Sequence, residues 1–247
     1  MSESLSMMAT TGLLGYGFGE DSFRHGLAMD LDFIAADAGS MDPGPHYLGA
    51  GIPFVSRKAI KRDLGLMLEG ALEKGIPMLI GSAGGGGSAP QVALVREIIE
   101  EIAAERGYHF KMAVIHADQG KDYLHAKLKA GKIEPLGPID DVTPETIEET
   151  HRVVAMMGVE PFQKALRDGA QVVLAGRATD ASIYSAIPLM RGYDPGLVWH
   201  LSKIIECAGA VAVPKTGQDC MIGTLKADHF LVAPAHPDSR CTRMSVA

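Results

Sequence analysis

The chain is poor in cysteine, tryptophan and positive charge. Its 247 residues hold 3 Cys and 1 Trp, and 23 Lys plus Arg stand against 30 Asp plus Glu, for a formal net charge of −7. That balance, with no compensating Lys/Arg cluster, argues against nucleic acid as a partner, because such proteins displace counterions with a basic stripe. Cys207, Cys220 and Cys241 are odd in number, widely spaced and in no zinc-like pair. They read as packed or free thiols in a reducing compartment, not as a disulfide framework. No run reaches the roughly 18 uninterrupted apolar residues of a membrane helix. The opening "MSESLSMMATTGLLGYG" also lacks the basic start and long apolar stretch of a signal peptide. A cytoplasmic chain without a membrane partner is expected. There is no HxH or HExxH cluster, so a metal is not expected either.

What is present is an ordinary globular mixture, 47% hydrophobic and 21% charged, sufficient for a substantial core. The length suits one α/β domain over 1–247. Four short apolar segments, each followed by a loop, predict buried strands: "LDFIAADA" (31–38), "IPMLIGSA" (76–83), "FKMAVIHA" (110–117) and "QVVLAGRA" (171–178). Continuous apolar runs suit strands covered on both faces, as in a parallel sheet. Between them, Ser56 can cap a helix that carries Ile60, Leu64, Met67, Leu68 and Leu72 on one face and stops at Gly75. A second helix starts near Pro90, with Leu94, Val95, Ile98, Ile99 and Ile102 on one stripe, and ends at Gly107. A third starts at Thr143-Pro144. Beyond about residue 190, "VWHLSKIIECAGAVAV" reads as a helix running into a strand, and "CMIGTLKADHFLV" as a hairpin turning at Lys226-Ala227-Asp228. The expected fold class is therefore α/β: a mainly parallel, doubly wound (Rossmann-like) sheet with helices on both faces and a C-terminal β-hairpin region.

In such sheets ligands bind at the carboxyl ends of the strands, which turns the strand ends into addresses. After the first comes "DAGSMDPGPHYLG" with Asp37, Ser40, Asp42 and His46. Two carboxylates on one loop could divide acid and base roles, or serve only as turn residues that bond their own backbone. The second address is the glycine loop: Ser82, Gly84, Gly85, Gly86, Gly87 and Ser88, leading into a helix whose first amides could hold an anion. It is neither GxGxxG nor GxxxxGK[ST], so it is not read as a nucleotide loop. Third is "IHADQGK", where His116 and Asp118 fall on one face. Fourth is "AGRATDAS", where Arg177 could clamp a carboxylate and Asp180 could either act as a catalytic group or start the next helix. Near the N-terminus, "LLGYGFGEDSF" is a further strand-to-loop candidate, or a glycine turn with a helix cap at Asp21 or Ser22. Two acid–cysteine pairs, in "IIECAGA" and "GQDCMIG", are read as packing.

Together "GYGFGEDSF", "DAGSMDPGPHYLG", "GSAGGGGS", "HAD", "AGRATD", "ECAGA" and "DCMIGTL" resemble the acyclic terpene utilisation (AtuA-like) family, in order and spacing, from about residue 12 to the end. Members are typically longer, so the resemblance implies a further C-terminal segment or a partner. It also implies catabolism of branched acids through CoA thioesters, without assigning a catalytic residue. The functional expectation is an enzyme of small or branched carboxylate or acyl-CoA catabolism, of hydro-lyase or lyase type. Asp37, Asp42, His116 or Asp180 would move the proton, and Arg177, Ser40 and residues 82–88 would bind substrate. No cofactor motif is identified, and a homo- or hetero-oligomer is expected. Two other readings stand beside it: a non-catalytic ligand-binding subunit of a larger complex, and a metal-dependent hydrolase built on His116, Asp118, Asp37 and Asp42.

Overall fold

The computed structural model describes residues 4–39, 44–215 and 219–247. Nine strands occur among them: Leu5–Ala9 (β1), Phe33–Asp37 (β2), Met78–Gly81 (β3), Met112–Ile115 (β4), Val172–Ala175 (β5), Ala212–Val213 (β6), Met221–Leu225 (β7), Phe230–Pro234 (β8) and Arg240–Cys241 (β9). The helices are Glu20–Leu27 (α1), His46–Ala50 (α2), Arg57–Lys74 (α3), Ala89–Arg106 (α4), Lys121–Lys129 (α5), Pro144–Glu149 (α6), Glu160–Arg167 (α7), Ser182–Met190 (α8), Pro195–Ile205 (α9) and Arg243–Val246 (α10). A seven-stranded sheet runs β4-β5-β3-β2-β1-β7-β8. Its first five strands are mutually parallel, whereas β7 and β8 form an antiparallel hairpin added beside β1. β6 and β9 pair separately.

All four expected strands are present, each shorter than its apolar segment. The strand missed by the apolar-run reading is β1: the extended segment is "LSMMA", and the "GLL" after it is a turn. Leu, Met and Ala favour helices in isolation, but Leu5, Met7, Met8 and Ala9 are all fully buried between two layers, and that burial decides. Side chains alternate as the pleat requires. Met8, Ile34, Ile80 and Leu174 face a core built with α1, α3 and α4, and Met7, Phe33, Leu79 and Val173 face one built with α7, α8 and α9.

The two long helices follow their expected signals. Ser56 caps α3 by accepting from the Ala59 amide, and Gly75 (φ 66°) and Gly107 (φ 67°) end α3 and α4 in the left-handed region. On α4, Val92, Val95, Ile98, Ile99 and Ile102 are buried, each contributing about 1.5–3 kcal/mol. Gly19, not Asp21 or Ser22, is the N-cap of α1. The hairpin turns where expected, with the Lys226 amide donating to the His229 carbonyl. Among the described residues, no helix is long and apolar enough to cross a membrane.

The connection after β3 leads to α4 on one face, and that after the adjacent, parallel β5 leads to α8 on the other. Chains that leave neighbouring strand ends in opposite directions open a crevice at the carboxyl edge, a topological switch point.

Candidate functional site

The ends of β2, β3 and β5 meet at this crevice. A Cβ placed on Gly39 would lie 2.3 Å from Ser82 Cβ and 2.6 Å from Arg177 Nη1, so only glycine lets the three segments touch. Ser82 takes φ +51°, which is strained for a residue with a side chain. Its Oγ accepts from the Ala178 amide at 3.2 Å and from Arg177 Nη1 at 3.4 Å. The Arg177 side chain is only 11% exposed, and its nearest ion-pair partner, Asp180, stands at 3.9 Å. A nearly buried guanidinium with such loose partners is suited to an incoming anion. Asp180 does not start α8, whose N-cap is Ala181; its carboxylate instead faces Arg177.

Asp37, the last residue of β2, is 1% exposed. Its Oδ2 accepts from the Gly39 amide at 2.9 Å, and its Oδ1 is buried without a hydrogen-bond partner. Burial pushes this carboxyl well above the usual carboxylate range, and the charges of Asp180 and Glu206 add to the effect against Gly39 and Arg177. A carboxyl in that setting holds a proton where an exposed one has lost it. Tyr184 of α8 is fully buried, and its hydroxyl donates to the Ala35 carbonyl at 3.4 Å. Burial and then the Asp37 charge push this phenol well up.

Two neighbouring groups, Glu206 and Cys207, are the acid–cysteine pair of "IIECAGA" that the sequence reads as packing. Glu206, 6% exposed, pairs with Lys203 at 2.6 Å. Burial and the Glu206 charge push the neighbouring Cys207 thiol up to about 11, so this thiol is not a nucleophile near neutral pH. Cys220 is buried and donates to the Thr10 carbonyl.

The glycine loop is buried throughout residues 81–88. The amides of Ser82, Ala83, Gly85 and Gly87 donate to backbone carbonyls, and both the amide and hydroxyl of Ser88 donate to Gln91 Oε1. Gly84 and Gly86 keep the loop's amides without a partner among the described residues. A Cβ on Gly87 would lie 2.1 Å from the Arg177 nitrogen, so Gly87 serves close packing against β5. Gln91, fully buried, donates to the carbonyls of Ile52 (2.9 Å) and Gly84 (3.1 Å). In the sequence it is marked only as the last residue of the Ser-x-x-Gln capping box that opens α4.

His116 and Asp118 are exposed after β4. β5 and β3 lie between β4 and β2, and three inter-strand steps amount to roughly 14 Å. The structure therefore does not bring His116 to Asp37. Ser40 and Asp42 lie outside the described residues. Of the metal-hydrolase set, Asp42 lies outside the described residues, and among the described ones no group of three His, Cys, Asp or Glu is placed to hold a metal ion. Cavities open elsewhere, one of about 380 Å³ between Gly15–Phe18 and the first turns of α3. Volume alone is a weaker guide than the buried, unpaired groups at the switch point.

A family model described as "Acyclic terpene utilisation family protein AtuA" matches residues 57–215, well over half of the chain. No curated protein and no solved structure matches it.

Proposed function

The chain belongs to the acyclic terpene utilisation family AtuA, whose name places it in a catabolic setting, and we propose that it is a hydro-lyase or related lyase acting on a branched carboxylate or its acyl thioester. One observation carries this reading: the buried, unpartnered Oδ1 of Asp37 beside the loosely paired guanidinium of Arg177. Dehydration of a 3-hydroxyacyl group needs a base at the α-carbon and an acid at the departing hydroxyl, which leaves as water with the donated proton. Asp37, kept protonated by burial, is the acid. Asp180, a half-exposed carboxylate on the same cluster, is the base, so two carboxylates in different surroundings take opposite roles. Arg177 holds the carboxylate or thioester oxygen on which enolate charge develops, with the amides of Gly84 and Gly86, unpartnered among the described residues, as further donors.

The test is exchange and turnover in D2O. The protein is incubated with branched 3-hydroxy and α,β-unsaturated acids, free and as thioesters, and α-deuterium and water addition are followed by NMR and mass spectrometry. α-Exchange with at least one substrate, lost in Asp180→Asn, together with water addition lost in Asp37→Asn, supports the proposal. Saturable binding without exchange in any arm would assign the chain instead to a non-catalytic binding subunit.

A further inference from the structure

A second buried carboxylate stands on the same sheet edge, on the far side of β1. Asp219, just before β7, is 4% exposed. Its Oδ1 accepts from the Ser22 hydroxyl at 2.6 Å and from the His236 amide at 3.3 Å, whereas its Oδ2 is buried with no partner among the described residues. Ser22 is fully engaged, because its Oγ also accepts from the Cys220 amide at 3.0 Å. A Cβ on Gly209 would lie 2.8 Å from the Asp219 nitrogen, so the backbone is wedged and the carboxylate is held in place. Asp219 lines a cavity of about 220 Å³ together with Ser22, His236, Asp238 and Ser239.

The wall of this cavity has a definite charge. Among the described residues no Lys or Arg lines it. The His236 ring accepts from the Asp238 amide through Nδ1 at 3.2 Å, and the Asp238 carboxylate stands 4.0 Å from the same nitrogen. Two carboxylates thus face the space with no fixed cation, and one of them has an oxygen in need of a donor. Leaving such an atom unpaired is unfavourable, so a ligand that brings both a positive charge and N–H donors fits best. Among the described residues no group of three His, Cys, Asp or Glu can hold a metal ion, which favours a directional organic donor over a divalent cation. We propose that this cavity is a binding site for a small primary ammonium compound, whose nitrogen donates to Asp219 Oδ2 and lies against Asp238. The site is separate from Asp37 and does not depend on the lyase reading.

The probe is methylammonium chloride, with potassium chloride and methanol as controls at matched concentration and ionic strength. Thermal unfolding of the full chain is followed, and binding is read by calorimetry. Methylammonium is expected to raise Tm saturably, while potassium and methanol do not. Asp219→Asn keeps the oxygen that accepts from Ser22 and puts an NH2 group in place of Oδ2, so the shift should vanish. Should that variant not fold, Asp238→Asn takes its place, with binding weakened at least about threefold by loss of one nearby charge. Asp37→Asn should leave the shift unchanged. No saturable shift with methylammonium, an equal shift with potassium or methanol, or a shift surviving in the decisive variant would overturn the proposal.

Discussion

The Gly39 amide donates to one oxygen of the Asp37 carboxyl at 2.9 Å, and the other oxygen is buried with no partner among the described residues. One bond from the next turn fixes the orientation of the group, and burial governs its proton.

Asp37→Asn should therefore abolish most of the turnover, by about a hundredfold or more for loss of a general acid, while the fold persists. Its effect on stability depends on pH. The folded Asp37 carboxyl titrates above its unfolded value of about 3.9, so its contribution is fully present below that pH and is lost as pH rises toward the folded value. The Asn variant has no such loss. Denaturant melts at increasing pH should show the variant gaining on the parent from about pH 4 upward, with the gain levelling off above the folded value; a pH-independent difference would contradict the buried, protonated carboxyl.

Arg177→Lys keeps the charge but loses the planar fork. If Arg177 holds a carboxylate through two parallel bonds, ligand affinity should fall by about 10-fold or more, since a charged hydrogen bond contributes about 1.5–3 kcal/mol. Titration calorimetry with the substrate found by the exchange experiment reads this directly.

Gly87→Ala should be severely destabilising, by about 3 kcal/mol or more. The added Cβ would sit 2.1 Å from the Arg177 nitrogen at a φ of +73°, combining overlap with strain. An unchanged melting temperature would mean that the loop does not pack on β5 as described.

Gln91→Leu removes a buried amide that joins Ser88, Gly84 and Ile52. Several buried polar groups lose their partner, so a loss of about 2–4 kcal/mol is expected. Chemical denaturation should show a lower midpoint.

His116→Ala separates the strand-end reading from the geometry. With His116 exposed and roughly 14 Å from β2, turnover should stay within about twofold of the parent; a collapse of activity comparable to that of Asp37→Asn would bring His116 back into the reaction.

Periodicity and end signals made much of the architecture legible. Four of the parallel strands, helices α3 and α4 with their glycine stops, and the late hairpin all follow from local pattern, because each signal is contained within a few residues. Strand β1 was not legible, since "LSMMA" looks extended only once both faces are covered. The site was half legible. Asp37, Ser82, Arg177 and Asp180 could be named as strand-end residues, but their company could not. Tyr184 comes from α8 with nothing in its own neighbourhood to mark it. Glu206, just past α9, and Gln91 sit in short local signals, an acid–cysteine pair and a Ser-x-x-Gln cap, whose place at the edge only packing reveals.

The sequence by itself determined the α/β class, the family motifs and the candidate residues at each strand end, because these depend on short-range pattern and composition. Tertiary structure alone decided which of those ends meet. The order β4-β5-β3-β2 inserts β5 beside β3, which brings Arg177 onto Ser82 and Gly39 and leaves His116 on the sheet's outer strand. Strand order is set by crossovers spanning tens of residues, and the burial of Asp37 by layers assembled from the whole chain; neither is written in any local run of residues.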